Sequence, residues 1–450
     1  MLARLVFFYI AESLTYQYLI YTVMRRVFIN LYSILGGVSL IMAAACSSDN
    51  PSEEPPIVEN EEQPIPGADD RFAPLVKLEL NESQQQLSDA TNRFGVSMWN
   101  MIEGDDEPKD GNTLFSPLSM RTALSMLANG AEGETRTQLL ELLSGKGSAA
   151  TIESINDFNK NFSAALAKVD EKAQVNLANG LWIDKTIAAN SAFTSALKGL
   201  YDVESAAFEK GTEQSRESIN KWISDNTDGL IPQFFDTPPT SDIVLANALY
   251  FGSEWTYKFN PENTQDGYFT NADGTRSEVK MMAQTVVTSL SKTANFEKIT
   301  LPYGNRGFAM EILIPVSAEK AVDFSGAFEE EEGETSACEI KLKMPRFSCE
   351  SELKANNILT ALGFDKIVGE DGDYSGITDE AASLFTEIIQ KNKIEVDEKG
   401  TRAASTTVVM EMSGGQFLEK TDITIDHPFA FAIRETSSGA ILFMGKVNKL

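Results

Sequence analysis

Apolar residues recur at helical spacing soon after Leu80, where Leu87, Phe94, Met98, Met101 and Ile102 fall on one stripe. Residues 116–143, SPLSMRTALSMLANGAEGETRTQLLELL, read as two helices. Pro117 suits the first turn of the first, Gly130 its stop and Thr135 the cap of the second. Met120, Ala123, Leu124 and Leu127 form the apolar face, and helical spacing runs on to about Lys168. Two later runs differ. VNLANGLWID (175–184) and DIVLANALYF (242–251) are almost continuously apolar, as strands buried on both faces are. Their shared LAN-x-L predicts neighbouring strands with asparagines at matching places. Between them ESINKWISDNTDG reads as a helix. After Trp255 strand-like segments dominate: GYFTNADGTRSEVKMM, FEKITLPYG, FAMEILIP and EIKLKMPRF. SELKANNILTALGF reads as a helix, and DITIDHPFAFAIRETSSGAILFMGKV as two strands joined by Thr-Ser-Ser-Gly. The sum is an α+β domain, helices early and sheets late, with no repeat or second boundary.

Composition narrows what this domain can do. At 450 residues and 42% apolar, the chain can bury a large core. A net charge of −28 argues against nucleic acid or an anionic bilayer as electrostatic partner, and basic residues do not cluster with aromatics. The single histidine, His427, is the only base a Ser-His-Asp or Cys-His triad could use. Set in DHPF, it reads as a packing or hydrogen-bonding residue, so no catalytic residue is assigned and the chain is not read as an enzyme. No phosphate-binding glycine loop, paired-cysteine or calcium-loop spacing occurs, so no cofactor or metal is expected. Cys338 and Cys349 bracket an extended segment. Eleven strand steps would separate them by roughly 36 Å, against the ~7 Å a disulfide allows. Two free structural thiols are expected unless the chain reverses near Pro345.

The N-terminal part reads as an address. Residues 24–45, from MRRVFINLYSILGGVSLIM to Ala-Ala-Ala, have the charged start and apolar run of a signal peptide. Residues 1–23 look like a redundant upstream extension. Cys46 sits where a bacterial lipobox places the lipidated residue, although Ala43 stands where leucine is usual. Residues 46–74 then form an acidic, proline-rich tether that cannot bury enough apolar area to fold. An exported lipoprotein at the outer membrane or cell surface is expected, with cleavage to a secreted form as the alternative.

One stretch fits none of this. Residues 398–416, EKGTRAASTTVVMEMSGGQ, follow the plausible strand KIEVDEKG. Small and β-branched residues suit a strand, yet the large apolar side chains that would hold it in a core are nearly missing. The surrounding pieces resolve the puzzle by resemblance. FSPLSMRTALSMLANGAEGET, LANGLWI, INKWISDNTDGLI, VLANALYFGSEWTYKF, LPY, MPRF, EVDEKGTRAAST, DHPFAFAI and GAILFMGKV occur in the order and spacing of the serpin family, over nearly all of residues 80–450. The resemblance implies three β-sheets, eight or nine helices and an exposed reactive-centre loop, with a serpin domain over residues 75–450.

It also implies a mechanism. A protease attacks the loop and forms an acyl-enzyme; the cut loop inserts as a new strand into the large sheet and the protease is trapped. The hinge would be Glu398, Gly400, Thr401, Arg402, Ala403, Ala404, Ser405 and Thr406. Counted from Gly400, Thr401, Ala403, Ser405, Thr407 and Val409 would face inward and Arg402 outward, where a charge is tolerable. Glu411 would face inward near the far end, a mark against full insertion. Ser116, Ser119 and Asn247 match the shutter that lets the sheet open, Gln390 stands where the family often has histidine, and Trp255 matches the breach. The family count puts the scissile bond at Gly414–Gly415, while Met410 and Met412 are chemically better bait. No lysine or arginine lies between Ala403 and Glu419, so elastase-like, chymotrypsin-like or papain-like proteases are expected targets and trypsin-like ones are not. A monomer without a heparin-type activator is expected. The alternative is a non-inhibitory serpin, acting as a binding module or a simple protease substrate.

Overall fold

The computed structural model of the chain describes residues 72–104, 111–316, 324, 327–328, 334–368, 371–379, 388–401 and 418–450, all within one compact unit, Ile65–Leu450. Eight α-helices lie among these residues. They are α1 (Glu82–Glu103), α2 (Pro117–Ala128), α3 (Gly133–Ser144), α4 (Ile152–Leu166), α5 (Ser191–Tyr201), α6 (Glu213–Asn226), α7 (Asn356–Ala361) and α8 (Asp365–Val368). Capping fixes several starts. Asn81 and Gln84 form a reciprocal capping box on α1, and Thr151 and Ser154 do so on α4. Ser116 caps α2 ahead of Pro117, whose missing N–H costs nothing in the first turn.

The strands are β1 (Thr113–Phe115), β2 (Gln174–Asp184), β3 (Glu204–Phe208), β4 (Ile243–Glu254), β5 (Gln265–Thr270), β6 (Arg276–Lys292), β7 (Phe296–Tyr303), β8 (Phe308–Pro315), β9 (Glu334–Pro345), β10 (Phe347–Lys354), β11 (Ile389–Val396), β12 (Gly400–Thr401), β13 (Glu419–Thr424), β14 (Phe429–Glu435) and β15 (Ile441–Val447). One array of nine runs β1-β15-β14-β8-β7-β6-β9-β13, with β5 on β6. Its long strand β6 pairs with β9 from Met281 to Lys292 but with β7 only through Leu290–Lys292. Two of the expected three sheets are therefore joined end to end through β6. The remaining sheet has six strands, ordered β10-β11-β12-β4-β2-β3.

A single large apolar core runs beneath α1, α2 and both sheets. A smaller one, with Trp182, Phe208, Ile219, Ile223, Val244 and Ala246, sits between α6 and the outer face of the six-stranded sheet. The α+β architecture agrees with the sequence reading, with local corrections. Thr135 is not a cap: it lies buried inside α3, its hydroxyl donating to the Lys366 carbonyl and accepting from the Asp373 N–H. Met101 is exposed, because the buried face of α1 turns toward Trp99, whose indole N–H donates to the Phe324 carbonyl. Residues 351–354 extend β10 instead of starting a helix, since they pair with Ile389–Asn392. Pro345 ends β9, so Cys338 and Cys349 lie on different sheets as free, buried thiols, the latter pushed up to about 12 by burial with Glu350 adding to it. The C-terminal segment gives the predicted β14–β15 hairpin, but residues 422–424 belong to a separate strand, β13, parallel to β9.

Candidate functional site: an unfilled place in the six-stranded sheet

The matching asparagines of the two LAN-x-L runs meet directly. Asn179 on β2 pairs with Asn247 on β4, and the Asn247 amide donates to Asn179 Oδ1 at 2.6 Å. β4 is thereby fully bonded along its β2 side. Its other edge, and the facing edge of β11, are not. Among the described residues β11 and β4 are joined only through β12, where Thr401 lies between Val396 and Ser253 and Gly400 opposite Glu254. Below that point no ladder joins the two strands among the described residues, and the slot between them is a break in the hydrogen bonding of the sheet.

The mouth of the slot is tightly bonded. The turn from β11 into β12 closes with reciprocal Asp397–Gly400 backbone hydrogen bonds of 3.0 and 3.3 Å. Trp255, buried behind it, donates its indole N–H to the Asp397 carbonyl (2.9 Å) and its backbone N–H to the Lys399 carbonyl (2.8 Å). Glu398 is buried. Arg346 Nε reaches both its oxygens at 2.8 Å, and the Thr264 hydroxyl donates to one of them at 2.5 Å. Burial alone would push this carboxyl up; the Arg346 and Thr264 hydrogen bonds outweigh it and hold the group below the usual glutamate range. Gly400 has φ 149°, and a Cβ there would lie 2.1 Å from the Ser253 carbonyl oxygen, so only glycine fits between β11 and β4. Thr401 is buried, its hydroxyl 2.7 Å from the Tyr303 hydroxyl.

Halfway down, the sheet rests on α2. Ser116 presents its backbone to Gln390, whose Oε1 accepts the Ser116 N–H (2.9 Å) and whose Nε2 donates to the Ser116 carbonyl (3.0 Å). The Asn392 amide also donates to Gln390 Oε1. Gln390 thus uses both the donor and the acceptor that the sequence reading valued. The Ser119 hydroxyl donates to the Asn247 backbone carbonyl at 3.4 Å, while Asn247 Oδ1 is buried with no partner among the described residues. Between α2, β4 and β11 lies a cavity of about 40 Å³ lined by Ser119, Leu124, Leu245, Asn247 and Gln390, enough for a small side chain. On the outer face, Lys391 donates to the carbonyls of Gln233 and Phe234 in the loop after α6, bridging the slot from the β11 side.

The structure therefore brings together Ser116, Ser119, Asn247 and Gln390 at mid-sheet, and Trp255, Glu398, Gly400 and Thr401 at the mouth. Cys46, the hinge residues Arg402, Ala403, Ala404, Ser405 and Thr406, and the bait candidates Met410, Met412, Gly414 and Gly415 lie outside the described residues. Sequence reasoning missed Thr264, Tyr303, Asn392 and Arg346 as members of the site. Tyr303 and Arg346 stood inside the quoted LPY and MPRF pieces; nothing marked Thr264. His427 Nδ1 lies 3.0 Å from Asp426, with no serine or cysteine among its hydrogen-bond partners. Among the described residues no acidic, histidine or cysteine cluster could hold a metal, and no helix is long and apolar enough to cross a membrane.

A family model described as Serpin (serine protease inhibitor) matches residues 89–450. Serpin-Z4 of Hordeum vulgare is 30% identical over 379 residues, 79% of this chain and 94% of its own length. The leukocyte elastase inhibitor of Xenopus laevis is 29% identical over 388 residues, 81% of this chain and 99% of that protein. Among solved structures, human thyroxine-binding globulin in complex with thyroxine superposes with a TM-score of 0.71 at 23% identity, over 82% of this chain and 99% of that one, a likeness of fold alone.

Proposed function

This chain belongs to the serpin family, and from that premise we propose that it is a suicide-type inhibitor of endopeptidases with apolar specificity pockets, elastase-like, chymotrypsin-like or papain-like. The observation that carries the reading is the break in the β11–β4 ladder with Gly400 and Thr401 already paired at its mouth. The register of those two residues dictates where further residues would lie. Continued antiparallel to both edges, Ala403 would face Ile394 and Phe251, Ser405 would face Asn392 and Leu249, and Thr407 would face Gln390 and Asn247. These neighbours lie on the core side: Ile394, Asn392 and Gln390 are buried, and Asn247 lines the cavity. From Thr401 to Val409 the inward residues are small or uncharged, and Arg402 would lie on the outer face opposite Glu395, so no isolated charge is buried until Glu411 near the far end.

The chemistry asked of the chain is modest. The protease nucleophile attacks a loop carbonyl within 410–415, the peptide bond to the next residue breaks, and that residue departs with a new amino group. The acyl-linked segment is then free to run down the slot, and its ladder bonds supply the free energy that displaces the enzyme before water can cleave the ester or thioester. The starting state is held by a kinetic barrier rather than by lowest free energy.

The test is incubation with pancreatic elastase, chymotrypsin and papain, followed by denaturing electrophoresis and mass spectrometry. A covalent complex stable in SDS, with a released fragment beginning between 411 and 416, is the expected result. Clean cleavage without complex would mark the chain as a non-inhibitory serpin acting as a binding module. Cleavage only after Lys420 would sink the assignment of specificity. We also propose export and lipid anchoring at Cys46, supported by the pattern of residues 24–46; Cys46→Ser should abolish incorporation of labelled fatty acid.

A further inference from the structure

Tyr303 lies on β7, a strand of the other sheet, yet its hydroxyl ends inside the mouth of the slot. The ring is fully buried, stacked on Trp255 at 4.3 Å and 11°, with Phe251 edge-on at 5.2 Å. Its backbone is fixed as well: Tyr303 bridges Trp255, and the Gly304 N–H donates to the Glu254 carbonyl at 2.8 Å. The phenol oxygen therefore cannot swing away. Thr401 Oγ1, 2.7 Å distant, is its hydrogen-bond partner, and Thr401 has no other side-chain partner among the described residues. Each hydroxyl satisfies the other in a buried site.

Two consequences follow from elementary energetics. A buried hydroxyl left alone carries its full desolvation penalty, whereas removing both hydroxyls together is nearly neutral. Withdrawal of Thr401 from the slot would strand the Tyr303 hydroxyl, so the pair biases the hinge toward the seated position. We propose that Tyr303 is a positioning residue that seats Thr401 in the slot before any cleavage, and that its hydroxyl restricts position 401 to residues that can return the hydrogen bond. Insertion then starts from a strand whose register is already set, instead of from a free end that must find it. This rests on the insertion mechanism proposed above for its functional consequence, but the seat itself does not.

The test uses the full domain and four variants: Y303F, T401V, T401S and the double variant Y303F/T401V. Phenylalanine keeps the ring and its stacking, so only the hydroxyl is removed. In the uncleaved protein, the Gly400 and Thr401 amides should exchange hydrogen about fivefold faster in Y303F and in T401V. T401S should match wild type, and Y303F/T401V should recover most of the protection. With pancreatic elastase or chymotrypsin, the fraction of protease escaping as active enzyme should rise in both single variants and fall again in the double variant. Packing alone would leave Y303F silent. The proposal is overturned if Y303F exchanges as wild type does, or if the double variant shows the product of the two single effects. If the seat behaves as expected but wild type forms no covalent complex and gains no thermal stability on cleavage, the inhibitory reading fails while the seat stands.

Discussion

At the mouth of the slot, Glu398, Asp397 and Thr401 all have partners: Arg346 and Thr264 for the first, Trp255 for the second, Tyr303 for the third. At mid-sheet, the side-chain oxygen of Asn247 is buried with no partner among the described residues, beside a cavity. Both regions lie between the same two strands and under the same core. They differ in one respect among the described residues: β12 is paired between the two strands at the first, and no strand is paired between them at the second. Since buried polar groups are nearly always bonded, the Asn247 oxygen is an acceptor available to a strand placed there.

Filling the slot should erase this difference and give the largest effect. Residues following Thr401 would gain ladder bonds on both edges, on the order of ten new hydrogen bonds at about 1 kcal/mol net each. For a domain this size such a gain raises the thermal midpoint by roughly 13 °C. Calorimetry before and after limited proteolysis within 410–415 would show it. An unchanged midpoint would mean that the slot is permanent and that mid-sheet is already at its minimum.

The mouth can be broken from its own side at two positions. Gly400→Val would drive its side chain into the Ser253 carbonyl and force a β-branched residue to φ 149°, costing about 3 kcal/mol or the loss of β12 altogether. Exchange at Thr401 should then rise to that of an open loop, and the stability gained on cleavage should shrink. Glu398→Ala should cost less, about 2 kcal/mol, because Arg346 is half exposed and can turn to water. The carboxyl is held below its ordinary range, so its contribution is present above the unfolded pKa of about 4.3 and lost as pH falls through the lower folded value. The wild-type melting midpoint should therefore drop below about pH 4 more steeply than that of Glu398→Ala.

How far the sequence anticipated this depends on the range of the contact. The LAN-x-L repeat foretold the Asn179–Asn247 pair because both strands carry the signal in their own residues. The alternation after Gly400 matched the inward face of Thr401 for the same reason, since strand period is a local property. Thr264, Tyr303 and Arg346 reach the hinge from 134, 98 and 52 residues away, and no periodicity encodes such meetings. The helical reading of SELK failed because pairing with β11 overrides the propensity of a short segment. Thr135 failed as a cap because its hydroxyl serves α8 and the loop after it, contacts that do not exist until the chain has folded.

The smallest effect is expected at Asn247. Asn247→Ala removes the 2.6 Å bond to Asn179 and leaves the Asn179 oxygen orphaned in place of its own, so the native protein should lose about 1 kcal/mol. In the cleaved form the balance differs. Continued register places the Thr407 hydroxyl opposite both Asn247 and Gln390, and Gln390 Oε1 already accepts from Ser116 and Asn392. Thr407 would therefore donate to Asn247 Oδ1, the one acceptor left free. Asn247→Ala deletes that bond and strands the inserted hydroxyl, a further cost of about 1 kcal/mol that the native form does not bear. The thermal midpoint should fall more in the cleaved protein than in the intact one, and Thr407→Val should abolish the excess. Equal losses in both forms would show that the Asn247 oxygen is an ordinary packing defect and that the shutter does not wait for a strand.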